Sequence, residues 1–273
     1  LLYTSSSHKV KYQLQPIYIM IISLVQAPLA WENPILNQLY FQKVIRDYSE
    51  KTDLFVLPEM FTSGFTMHPS GVAESIEGET IRWLQELAKE KDAAITGSLV
   101  IFENKNFYNR MVFVHSNGGV VHYDKRHLFT LAGEDKLYTA GTEKKMVLYK
   151  GWKICLQICY DLRFPVFSRN VEDFDVLLYV ANWPKVRTNA WDILLRARAV
   201  ENLCYVVGVN RVGLDGNEME YIGHSQAVDE LGNYVLEPQT EEGIYTIQLD
   251  YQKMRDTRYQ LDFLSDRDAF KLL

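Results

Sequence analysis

The feature that most restricts this chain is an apolar run that ends at a cysteine. Residues 153–158 read KICLQI, the pattern of a buried β-strand, and Cys159 is followed at once by Tyr160-Asp161-Leu162-Arg163-Phe164-Pro165. A proline with Ser168 and Arg169 behind it marks the first turn of a helix. Cys159 therefore stands at a sharp passage from strand to helix, where a side chain can be held exposed at the end of a sheet. The N–H groups just after it have no sheet partner and can point at a developing oxyanion. Taken alone, the position reads more readily as a small buried hydrophobe, because free cysteines are mostly buried and structural.

Two further stretches repeat the design. Phe55-Val56-Leu57-Pro58 is an apolar strand that delivers Glu59, and the strand ending in His122-Tyr123-Asp124 delivers Lys125. Singly, each would be a solvated loop acid or a surface lysine. Together they place a thiol, a carboxylate and an amine at the C-terminal ends of β-runs, where α/β folds bind ligands.

LPEMF (57–61), YDKRHLF (123–129), ICYDLRFP (158–165) and YVANWP (179–184) resemble the nitrilase superfamily of carbon–nitrogen hydrolases, over residues 21–250. The resemblance implies a Glu59–Lys125–Cys159 triad, with Glu134 as the second glutamate that supports the lysine and the substrate. It also implies a four-layer α-β-β-α sandwich that dimerises through its cysteine-bearing helical face. CYDLRFP, ANWPKVR and GVNRVGLDGN are most similar to the omega-amidase group. A nitrilase, an N-carbamoyl amino acid amidohydrolase and a non-catalytic binding module on the same scaffold are the alternatives. A membrane-bound acyltransferase would need spanning segments, and no apolar run reaches that length.

The pattern of elements agrees with such a sandwich. A strand at 21–26, a helix at 35–51, a strand at 53–57 and a helix at 79–91 precede three successive strands at 95–102, 107–115 and 120–123. A hairpin carries 153–158; strand 175–181, helix 189–202 and strand 204–210 follow, and 243–249 closes the sheet. Strands without intervening helices mean mixed sheets, and the sequence of units suits two stacked sheets with helices outside. Ile17–Ala30 mimics a signal peptide, but Gln26 breaks it and 21–26 fits a first core strand. The expected division is an extension at 1–19 and a single domain at 20–273, the fold starting at Met20.

Composition narrows the partners. A net charge of −6 with scattered basic residues argues against nucleic acid. Cys155, Cys159 and Cys204 have neither disulfide-framework nor zinc spacing, so a reducing compartment fits best and a cytoplasmic location is expected. Histidines without HxH or HExxH spacing argue against a metal, and the lack of a GxxxxGK or strand-linked GxGxxG argues against a nucleotide, so no cofactor is expected.

The chemistry then follows from ordinary acidities. A thiol is mostly protonated at neutral pH and needs a base. Glu59 can take its proton and pass it to the departing amine, while Lys125 and the N–H of Tyr160 stabilise the oxyanion. His127 is a rival base, on the same face as Lys125 if that strand continues. Asp161 and Arg163 are expected to form an ion pair that fixes the turn. The loop from Phe61 to Gly71 is expected to line a pocket, and the segment containing Trp183 to lean over it. The expected substrate is a small anionic amide, an omega-amide of a dicarboxylic or 2-oxo-dicarboxylic acid. Arg187, with Lys185 and Arg211 as substitutes, is the candidate for its far carboxylate, because a guanidinium fork binds both oxygens.

Overall fold

The computed structural model describes residues 18–271. The expected extension thus lies outside the described residues except at its end. There the first strand, β1 (Ile19–Gln26), begins one residue before Met20, and the carbonyl of Tyr18 accepts from the N–H of Tyr251 at 2.8 Å. After β1 come α1 (Pro34–Asp47), β2 (Leu54–Val56), α2 (Glu79–Lys91), β3 (Ala94–Glu103), β4 (Asn106–Val114) and β5 (Val120–Asp124). The second half contains β6 (Lys145–Tyr149), β7 (Trp152–Ile158), α3 (Pro165–Ser168), β8 (Val176–Ala181), α4 (Thr188–Asn202) and β9 (Tyr205–Asn210). It ends with β10 (Val212–Leu214), β11 (Glu220–Ile222), β12 (Ser225–Val228), β13 (Tyr234–Gln239), β14 (Gly243–Asp250) and α5 (Tyr251–Leu261).

Two six-stranded mixed sheets have the orders β14-β1-β2-β3-β4-β5 and β13-β12-β9-β8-β7-β6. Each is built on three parallel strands, β1-β2-β3 in one and β7-β8-β9 in the other, with antiparallel neighbours outside. The alternation of β8 shows why the sheets stack. Val176, Leu178 and Val180 point into the core between the sheets, where they meet Leu24, Val56 and Phe113. Leu177, Tyr179 and Ala181 point the other way, against Trp191, Leu195 and Ala199 of α4. On the far side Phe41 and Ile45 of α1 and Leu84 and Leu87 of α2 cover Phe55, Ile95 and Val112. The period of two in the strands and the stripes on the helices give the α-β-β-α layering.

The sheets share one functional edge. β2 belongs to the parallel set of one sheet, β7 and β8 to that of the other, and their C-terminal ends release Pro58-Glu59, Cys159 and Asn182. β5 releases Lys125 at the same end. The pairing Ile158↔Val180 puts the exits of β7 and β8 side by side.

Candidate active site

The turn that presents Cys159 is held by one buried carboxylate. Asp161 Oδ2 accepts from the N–H of Ile158 at 2.9 Å and from the Tyr123 hydroxyl at 2.7 Å. Its Oδ1 accepts from the N–H of His127 at 3.0 Å and meets the imidazole Nδ1 at 2.7 Å. These contacts tie the exit of β7 to the exit of β5. Cys159 adopts φ +44°, and Met60, next to Glu59, adopts φ +42°. Non-glycine residues in that region are strained and concentrate where a side chain must be aimed. Cys159 opens a 3-10 helix, Cys159–Arg163, so the N–H of Tyr160 has no intrahelical carbonyl to meet.

Glu59, Lys125 and Glu134 come together in a single buried cluster. Lys125 Nζ donates to Glu59 Oε1 at 2.9 Å, and to Glu134 Oε2 and Oε1 at 2.9 and 3.1 Å. All three side chains are at most 1% exposed. Glu134 Oε2 also accepts from the N–H of Phe129 at 2.6 Å, and Glu59 Oε2 accepts from the N–H of Asn182 at 2.8 Å. Cys159 is half-buried, with its Sγ 3.9 Å from the carbonyl of Asn182, the residue whose N–H meets Glu59.

Electrostatics follow from this packing. Burial alone would depress the Lys125 ammonium, but the carboxylates of Glu134 and Glu59 outweigh it and hold the group above the ordinary lysine range. Burial raises Glu134 above a free glutamate although Lys125 opposes it. Burial pushes the Cys159 thiol well above its usual value, Glu59 pushes the same way, and Lys125 pulls down without prevailing. The resting thiol is therefore protonated at neutral pH, and becomes nucleophilic only as a base removes its proton.

Beside the thiol lies a cavity of about 250 Å³, walled by Phe65, Phe129, Tyr160, Trp183, Arg163 and Arg187 among others. The Arg187 guanidinium sits over the Phe129 ring at 5.1 Å and that of Arg163 over Trp183 at 4.9 Å. Among the described residues neither forms an ion pair with a carboxylate, so both cations stand ready for an anionic ligand.

Several expectations are corrected. Phe61 is in the core under α1 and α2, packed edge-on to Phe41 at 5.6 Å, and does not reach the cavity; Phe65, four residues on, does. His127 does not share a face with Lys125, because β5 ends at Asp124. Its ring stacks on Phe164 at 3.8 Å and is engaged by Asp161, outside the cavity wall. Asp161 fixes the turn through donors on β5 and β7, not through an ion pair with Arg163. Lys185 is paired with Glu220 at 2.8 Å. Arg211 is buried, donating to the carbonyls of Leu29 and Leu214 at 3.3 and 2.8 Å, which removes it as a substrate cation.

Two asparagines at the centre escaped the sequence reading. Asn109 Nδ2 donates to Glu59 Oε1 at 2.7 Å and to Glu134 Oε1 at 3.2 Å. Asn182 Nδ2 donates to the carbonyl of Glu59 at 2.6 Å. The available signal was polarity out of place. Asparagine is depleted in strands, and a buried one must find partners, yet Asn109 interrupts the aromatic and apolar run of β4.

The family model for carbon–nitrogen hydrolases matches residues 11–259. The chain is 43% identical over 256 residues to the omega-amidase YafV of Yersinia enterocolitica, covering 92% of this chain and 98% of that protein. It is 32% identical over 250 residues to the 2-oxoglutaramate amidase of Bacillus subtilis, covering 90% of this chain and 96% of that one. The crystal structure of a CN-hydrolase superfamily protein from Xanthomonas campestris, with an arsenic adduct in its active site, superposes with a TM-score of 0.92. It is 42% identical and covers 94% of this chain and 100% of that one.

Proposed function

The chain belongs to the carbon–nitrogen hydrolase family, the nitrilase superfamily, and from that premise we propose that it is an omega-amidase. In this reading it hydrolyses the terminal amide of a small omega-amido dicarboxylate or 2-oxo-dicarboxylate to the acid and ammonia. The observation that carries the reading is the buried Glu59–Lys125–Glu134 cluster, whose Lys125 lines the same cavity as Cys159.

Glu59 takes the thiol proton as Sγ bonds to the amide carbon. Lys125 and the N–H of Tyr160 stabilise the oxyanion. Glu59 then passes its proton to the leaving nitrogen, ammonia departs, and a thioester remains on Cys159. Water attacks the thioester, giving its proton to Glu59 and releasing the acid and the thiol. Glu134 keeps Lys125 charged and aimed. Of the Glu59 oxygens, Oε1 already receives two donors and Oε2 one, which supports Oε2 as the proton acceptor. The far carboxylate of the substrate is assigned to Arg187, and Arg163 offers a second cation on the same wall.

The rest of the reading is consistent with this site. Three free cysteines suit a reducing compartment such as the cytoplasm. Among the described residues no helix is long and apolar enough to cross a membrane. A homodimer through the face bearing α3 and α4 would cover exposed Val166 and Val200, and light scattering after gel filtration tests it. The activity is tested by ammonia release from succinamate, short neutral amides, nitriles and carbamoyl amino acids. The account requires succinamate to be turned over with the highest kcat/KM. Preference for a nitrile or a carbamoyl amino acid would contradict it.

A further inference from the structure

The carboxylates of Glu59 and Glu134 are bridged twice. One bridge is the Lys125 ammonium; the other is the neutral amide of Asn109, which gives one N–H to each. An amide could sit there with either end inward, and the wrong end would turn a carbonyl oxygen against two carboxylates. Ser98 decides the orientation. Its Oγ accepts from the N–H of Met60 at 2.8 Å, which commits its own proton to Asn109 Oδ1, also at 2.8 Å. Asn109 Nδ2 must then face the carboxylates. Both side chains are fully buried, on neighbouring strands β4 and β3.

On the reading of Glu59 as the base, we propose that Ser98 and Asn109 are positioning residues that hold this base in place and aim a neutral hydrogen-bond donor at it. A neutral donor suits the task. A second cation would stabilise the carboxylate so strongly that it could hardly accept a proton, whereas no donor would leave two buried carboxylates to repel each other. The relay also starts inside the turn it serves, because Met60 follows Glu59 directly. The groups facing Glu59 are Lys125 after β5, Glu134 from the turn 134–136, Cys159 after β7, and the amides of Asn109 and Asn182. Tyr138, one turn beyond Glu134, is kept neutral by burial and by Glu134 itself.

Donors to a carboxylate favour its charged form, so their removal raises its pKa and moves the acid limb of the rate profile to higher pH. The test measures kcat, KM and the pH profile of kcat/KM for succinamate with Ser98→Ala, Asn109→Ala and Glu59→Gln, alongside thermal melting. Ser98→Ala removes one oxygen and is the variant most certain to fold. It should lower kcat by about tenfold with KM little changed, the size expected for a lost buried hydrogen bond. Its acid limb should rise by about half a pH unit or more, and that of Asn109→Ala should rise further. A lowered melting temperature with an unmoved acid limb in both variants would overturn the proposal and leave the pair a purely structural role. If Glu59→Gln is inactive while both variants keep the parent kcat and profile, the relay alone is wrong. If Glu59→Gln keeps full activity, the base assignment beneath it is wrong.

Discussion

Cys159 differs from the other cysteines in position, not in intrinsic chemistry. Burial pushes the Cys204 thiol up to about 12 and raises Cys155 above the ordinary range as well, and neither lines the cavity. Cys159→Ala should therefore abolish turnover without lowering the melting temperature, whereas Cys155→Ala and Cys204→Ala should keep the chemistry. Glu59→Gln should cost roughly 10²–10⁴-fold in kcat, the usual contribution of a positioned base, and His127→Gln much less. Reversed losses would make the histidine the base. At the rim, Arg187→Ala should lower kcat/KM for succinamate by about tenfold or more while a short neutral amide changes little, since a desolvated charge pair loses a partner. Equal loss on both substrates would give Arg187 a role in the fold. The positions of Glu59, Lys125 and Cys159 were legible because each follows a β-run. Asn109 was not, because the carboxylates that explain it lie 50 and 25 residues away in sequence.

At the scale of elements, the site depends on how strands end. Cys159 sits where β7 ends because Asp161 takes up the N–H of Ile158, and the same carboxylate anchors the exit of β5 through Tyr123 and His127. Asp161→Asn would turn an amide N–H₂ toward one set of these donors. It should cost about 3 kcal/mol in urea unfolding and lower kcat as well, because a buried donor loses its acceptor. Unchanged stability would mean that the turn is held by its packing alone. The bounds of α2 were readable from its apolar spacing, whereas α1, expected at 35–51, ends at Asp47. The hairpin β10–β11 left no strand signal after 204–210. Its strands have three residues each, too few for alternation to register, and Gly213 adopts φ +87°, which conceals the strand further. The positive φ at Met60 and Cys159 left no trace in composition either.

Across the whole molecule, the active edge exists because two sheets of matching design are stacked with their parallel strands pointing the same way. Glu59 comes from one sheet and Cys159 from the other, so catalysis requires the intact sandwich. That layering was legible in the order of elements, while the first strand starts earlier than its apolar pattern suggested because β1 gains its first partner from β14, at Ile19↔Asp250. A chain begun at Met20 should melt lower than one begun at Tyr18, having lost that pair and the Tyr18 carbonyl. The claim on which everything else depends is that Cys159 carries the acyl group. Mass spectrometry of peptides from enzyme quenched in acid during turnover of succinamate tests it directly. The succinyl group should be found on the peptide containing Cys159 and absent after Cys159→Ala. An acyl group on another residue, or turnover by Cys159→Ala, would contradict it.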